Sequence, residues 1–107
     1  MRAMLCAAKF SVGQIIHHRL FDYRGAIVSV DPVFSGSDEW YDKVARTRPP
    51  KDAPWYHVLV HDSELITYVA ERNIESDATG DPIEHPLIGT LLGEYEGGRY
   101  ADPSAVH

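Results

Sequence analysis

The chain predicts a mostly β domain, a small barrel or sandwich with one short inserted helix, and two observations carry that reading. The first is a hairpin. Pro54-Trp55-Tyr56-His57-Val58-Leu59-Val60-His61 and Thr67-Tyr68-Val69-Ala70-Glu71 are dense in β-branched and aromatic residues, and the polar Asp62-Ser63-Glu64 between them supplies the turn. A hairpin this apolar must pack its inner face on further strands. The second is size: 107 residues, 44% of them hydrophobic, suffice for one core without disulfides or metal.

Upstream, Val12-Gly13-Gln14-Ile15-Ile16-His17-His18-Arg19-Leu20 predicts a first strand opened by Gly13. A turn containing Asp22 and ending at Gly25 leads to a second strand, Ala26-Ile27-Val28-Ser29-Val30-Asp31-Pro32. Its Ala26, Val28 and Val30 share one face by the two-residue period. Pro32 ends it, because proline has no N–H for the ladder. Ser37 is placed to cap a short helix, with Asp38 and Glu39 in the positive first turn, Trp40 and Val44 on one side, and Lys43 and Arg46 toward the negative end. Pro49 and Pro50 stop that helix. In the hairpin, Val58 and Val60 point inward with Tyr56, leaving Trp55 and His57 on the other face. After it, Asn73-Ile74-Glu75-Ser76 continues the sheet or leaves it. Glycines and prolines then punctuate the chain from Gly80 to Pro103, where only Pro86 to Leu92 is apolar enough to dock.

One domain therefore spans residues 9–92, preceded by a flexible leader, 1–8, and followed by a mobile tail, 93–107. From Gly97 to His107 the apolar content is too low to hold the segment down. In the leader, the apolar run Met4 to Ala8 is too short for a signal peptide or a membrane span, and the lone Cys6 fits a reducing compartment. Both features place the chain in the cytoplasm, away from membranes.

The formal net charge is −6, unevenly spread. From Asp62 to Asp102 the carboxylates are opposed only by Arg72 and Arg99, so that half repels phosphates. Arg19, Arg24, Lys43, Arg46, Arg48 and Lys51 are the residues that could contact DNA. They are partly neutralised by Asp22, Asp38, Glu39, Asp42 and Asp52.

No glycine-rich phosphate loop or nucleophile elbow is present, and Cys6 has no framework to hold a base beside it, so the chain reads as a non-enzyme without cofactor. His57 and His61 are four apart, which on a strand separates them by roughly 13 Å, too far for one metal ion. A cross-strand pair of His18 with His57 stays geometrically open, against the plainer role of satisfied or solvent-facing histidines. The aromatics are the better lead: His18, Tyr23, Trp55 and His57 are candidate partner contacts. The bland alternative is that Trp55 covers the helix and that Tyr23 and Tyr68 close the barrel ends.

Lys9-Phe10-Ser11-Val12-Gly13-Gln14, Ile16, His18, Tyr23-Arg24-Gly25, Asp31-Pro32-Val33-Phe34, Pro54-Trp55-Tyr56-His57-Val58 and Thr67-Tyr68-Val69-Ala70-Glu71 together resemble the heat shock protein HspQ family, also called YccV-like. The resemblance runs in order from Lys9 to about Pro86. It implies an SH3-type β-barrel in a bacterial cytoplasmic stress protein. It further implies binding to hemimethylated DNA, and promotion of protein turnover through the Lon protease with clients such as the replication initiator DnaA. A small homo-oligomer such as a trimer is also implied. The acidic second half ranks protease regulation ahead of DNA binding, since a protease partner needs only a complementary surface.

Overall fold

The structure, a computed structural model, describes residues 8–104. The leader with Met4 and Cys6 lies outside the described residues, apart from its last position, and so do residues 105–107. Five antiparallel strands form one sheet: β1 (Ile15–His18), β2 (Arg24–Asp31), β3 (Trp55–Val60), β4 (Ile66–Ala70) and β5 (Ile74–Ser76), in the order β4-β3-β2-β1-β5. A single 3₁₀ turn, Glu71–Asn73, joins β4 to β5. A two-stranded sheet of β6 (Tyr95–Glu96) and β7 (Arg99–Tyr100) follows a one-turn helix, α2 (Ile88–Leu91).

The hairpin is β3–β4, with Asp62 in the left-handed region at φ 60 and Ser63 bonding the backbone at both ends of the turn. The inserted helix is α1 (Asp38–Val44), and the Trp40 N–H donates to Ser37 Oγ at 3.0 Å. It stops at Val44, ahead of Pro49 and Pro50. Those prolines serve instead through their carbonyls, which accept hydrogen bonds from Tyr41 OH and Trp55 Nε1. The buried residue of α1 is Tyr41; Trp40 is half-buried and Val44 exposed.

All five strands contribute to one apolar cluster of Ile16, Ile27, Tyr56, Val58, Val69 and Ile74. The sheet thus curls around that cluster, yet among the described residues no ladder joins β4 to β5, so both are edges there. The outer face carries two further clusters. Near β1 and β2, Ile15 and Ala26 are covered by Ile83, Leu92 and Tyr100. Near β3 and β4, Trp55 and Ala70 are covered by Tyr41, with Phe34 and Trp40 packed around them.

Strand β2 corrects the expected alternation. The pairing of β2 with β3 slips between Ile27 and Ser29, where a bulge places one extra residue opposite β3. Ala26 and Val28 therefore face the outer cluster, while Val30 joins Ile27 toward the inner one. One inserted residue reverses the parity of everything after it.

The expected tail from residue 93 is also corrected. Residues 93–101 belong to the folded unit: Tyr100 is 4% exposed, its N–H donates to Gly13 O at 2.8 Å, and Ala101 N–H donates to Glu94 O at 2.9 Å. Gly13 is required at this contact. At φ +94 it lies where L side chains are strained, and a Cβ there would sit 1.9 Å from Tyr100 O. The Pro86 to Leu92 segment docks as expected, through Leu92 and Ile88.

Candidate functional site

A groove of about 390 Å³ runs along the free side of β4. Every β4 residue from Ile66 to Ala70 lines it, so the strand edge forms the floor. One wall is the C-terminal part of α1 and the loop after it, from Trp40 and Val44 to Arg46 and Pro49. The other is the β1–β2 turn, with His18, Leu20, Phe21 and Tyr23. Among the described residues no carboxylate lines the groove, in a chain whose formal charge is −6, and Arg46 is the one guanidinium there.

The turn wall is built on two histidines with opposite roles. His18 is buried, and its Nδ1 accepts the N–H groups of Leu20 and Phe21 at 3.1 Å each while the ring stacks on Phe21 at 4.8 Å. Burial, with a smaller contribution from the charge of His17, holds the His18 pKa below its ordinary value, which keeps that nitrogen an acceptor. His17 is held the other way. Hydrogen bonds to Asp22 at 2.6 Å and Glu75 at 2.9 Å raise its pKa and tie the turn to β5. Phe21 is left 74% exposed and Leu20 54%, an apolar lip facing solvent.

The floor is held by aromatic packing. Trp55 is 1% exposed, with Phe34 at 4.9 Å and Tyr68 at 5.2 Å. Tyr68 OH donates to Asp31 Oδ2 at 2.6 Å, as does Ser35 Oγ. Burial works to raise the Asp31 pKa, but these two bonds outweigh it and hold the carboxyl below its ordinary value. His57 packs on the Tyr68 ring at 4.4 Å, and its Nδ1 is buried without a hydrogen-bond partner among the described residues.

Of the residues singled out in the sequence, His18, Tyr23 and Trp55 line the groove, and His57 sits outside its lining. Trp55 covers the helix side, the plainer of its two readings. His18 is a turn acceptor; among the described residues no group of three or more His, Cys, Asp or Glu could hold a metal ion. The six bases have separate settings, with Lys43 in the last turn of α1. Arg24 pairs with Asp77 at 3.1 Å, Arg48 with Asp42 at 3.0 Å, and Lys51 with Asp38 at 2.9 Å. Arg48 and Lys51 also lie over the Tyr41 ring. Arg19 reaches the Ile74 carbonyl, and Arg46 lines the groove. Arg72, grouped by sequence with the acidic half, donates to Thr47 O at 2.7 Å beside Arg46. Leu20, Phe21, Val44 and Ile66 were missed; each is an apolar residue at an exposed position, a state that periodicity does not reveal.

A pH prediction follows from the turn wall. Because the folded pKa of His18 is lowered, its contribution is present above the unfolded value of about 6.5 and is lost as pH falls below it. The contribution of His17, whose pKa is raised, is complete below about 6.5 and is lost as pH rises through the folded value. His18→Asn keeps an acceptor near the Nδ1 position and removes the titration. Thermal melts across about pH 5 to 8 should show the acid-side loss of the parent reduced in this variant and the alkaline-side loss retained. An unchanged acid limb would exclude His18 as its source.

Among the described residues no helix is long and apolar enough to cross a membrane. Residues 8–99 match the family described as hemimethylated DNA-binding protein YccV-like, in agreement with the blocks that begin at Lys9, and with most of its length matched the chain belongs to the YccV-like family.

Proposed function

We propose that this chain is a regulator of protein turnover that binds and activates an ATP-dependent protease of the Lon type and promotes degradation of clients such as DnaA. The observation that carries this reading is the groove: apolar and aromatic on both walls, free of carboxylates, and bordered by the exposed Leu20 and Phe21. Such a surface fits a protein segment. On this reading the chain acts by binding, not catalysis, in the bacterial cytoplasm as a heat-shock protein. The curled sheet with a 3₁₀ turn between its edge strands supports an SH3-type barrel as its architecture. The family resemblance supports a small homo-oligomer such as a trimer.

The second reading, binding of hemimethylated DNA, is favoured by the family description and by Arg72 bonding the carbonyl of Thr47, the residue after groove-lining Arg46. Against it stands the ion pair that holds Arg24 to the buried side chain of Asp77; the pairs of Arg48 and Lys51 are solvent-exposed and weaker. Phosphate affinity needs cations free to displace counterions.

The two separate on one preparation. The double variant Leu20→Ser with Phe21→Ser should lose most of the stimulation of Lon-dependent degradation while melting close to the parent, since both side chains already face solvent. Gel shifts on methylated, hemimethylated and unmethylated duplexes should show weak binding that fades steeply with salt and ignores methylation. Tight, hemimethyl-selective binding at physiological salt, with the double variant still stimulating the protease, would reverse the ranking.

A further inference from the structure

The pattern of hydrogen bonds along β4 leaves one side of the strand unsatisfied. Pro54 O accepts from Glu71 N–H at one end of the β3–β4 ladder, and Leu65 O accepts from Val60 N–H at the other. With the register Trp55↔Ala70 through Leu59↔Ile66, the antiparallel alternation turns Thr67 and Val69 toward β3. Ile66, Tyr68 and Ala70 then turn their N–H and C=O groups away from β3, Ile66 exposed, Tyr68 half-buried and Ala70 buried at the groove floor, and no backbone bond from another described segment reaches them. Exposed edges are normally blunted by a charge, a proline or a bulge. Ile66-Thr67-Tyr68-Val69-Ala70 has none of these, and its pairing with β3 is regular.

We infer that β4 accepts an added strand: an extended peptide segment that pairs with Ile66, Tyr68 and Ala70 and sets alternate apolar side chains against the two walls of the groove. The inference rests on the protein-binding reading and names how that partner is held. Because residues from both faces of β4 line the groove, a strand laid on the edge meets α1 on one side and the Leu20–Phe21 lip on the other. Backbone pairing supplies affinity, and the walls select every second side chain. Charge completes the partner's description. The groove lacks carboxylates and carries Arg46, so the segment it takes is apolar with an acidic residue near the α1 end. A second copy pairing through its own β4 is the weaker occupant, since Ile66-Thr67-Tyr68-Val69-Ala70 brings no acidic residue to Arg46.

The test uses the full chain, isotope-labelled, and a blocked synthetic peptide of sequence Glu-Val-Thr-Val-Thr-Ile-Ser. Two variants of that peptide are N-methylated at alternate residues, one on each edge. Calorimetry should show binding, with one methylated peptide weakened about tenfold or more and the other little changed, since only one edge donates to β4. Amide exchange should slow at Ile66, Tyr68 and Ala70 and stay unchanged at Thr67 and Val69. Arg46→Glu should weaken the peptide by about tenfold. Equal affinity of the two methylated peptides, unchanged exchange at the three outward amides, or no binding of any peptide would overturn the inference. So would protection of those amides in peptide-free protein that sediments as a larger species, which would assign the edge to self-pairing. Stimulation of Lon measured on the same preparation keeps the two proposals apart: stimulation without peptide binding sinks strand addition alone, whereas loss of stimulation sinks the turnover reading.

Discussion

Val58→Asp is expected to abolish the cooperative melt of this domain. The side chain is fully buried in the inner cluster, between Ile27 across one ladder and Thr67 across the other, whose hydroxyl is already engaged with Tyr23 OH at 2.7 Å. Burying an unpartnered acid costs several kcal/mol even after its pKa rises to neutralise it. Small domains hold only about 5–15 kcal/mol in total. Val28→Asp is the informative control. A strict two-residue period rates the two positions alike, but Val28 occupies the bulge, is half-buried, and packs at the margin of the outer cluster. Its aspartate should leave a folded protein with a lowered midpoint. Urea unfolding followed by circular dichroism distinguishes them, and a cooperative Val58→Asp transition near the parent midpoint would show that the inner cluster is misassigned.

Tyr100→Ala should be nearly as damaging, at about 3–5 kcal/mol, in line with removal of other buried aromatics. Tyr100 closes the outer cluster over Ile15 and Ala26, and its hydroxyl accepts the Ile83 N–H at 2.9 Å. Tyr100→Phe keeps the ring and strands that buried donor, for a loss of about 1–3 kcal/mol. Deleting residues 97–107 should destabilise at least as much as the alanine, because it also removes Arg99, which bonds Ser11 and Val12 O, and the Tyr100 N–H contact to Gly13. Midpoints unmoved by both the deletion and the alanine would restore the segment to a free tail.

Both cases mark where the sequence stopped being legible. The β3–β4 hairpin and the Ser37 cap are local: composition, turn and cap lie within a few residues of one another, and both stand in the structure as read. The parity of β2 was not legible, because a bulge is a property of the pair and Val28 looks like any other strand valine. Nor was the C-terminal hairpin. It is held by Tyr100, by one backbone bond to Gly13 and by the Arg99 contacts to Ser11 and Val12, none of which registers as periodicity. The groove was half-legible. His18, Tyr23 and Trp55 were chosen for their chemistry and do line it. The edge they surround depends on strand order, which only the assembled sheet defines.

Trp40 and Trp55, the two tryptophans of the sequence, lie 6.1 Å apart and both line the groove. Their environments differ: Trp55 is sealed and donates to Pro50 O, while Trp40 is half-buried at the wall. Intrinsic fluorescence excited at the red edge of the protein band therefore originates from one place. A spectral shift reports the seating of α1 or the filling of the groove, and the cluster around Tyr100, at the β1–β2 end of the same outer face, stays dark in that channel. The molecule carries its own optical probe at the position where a partner would arrive.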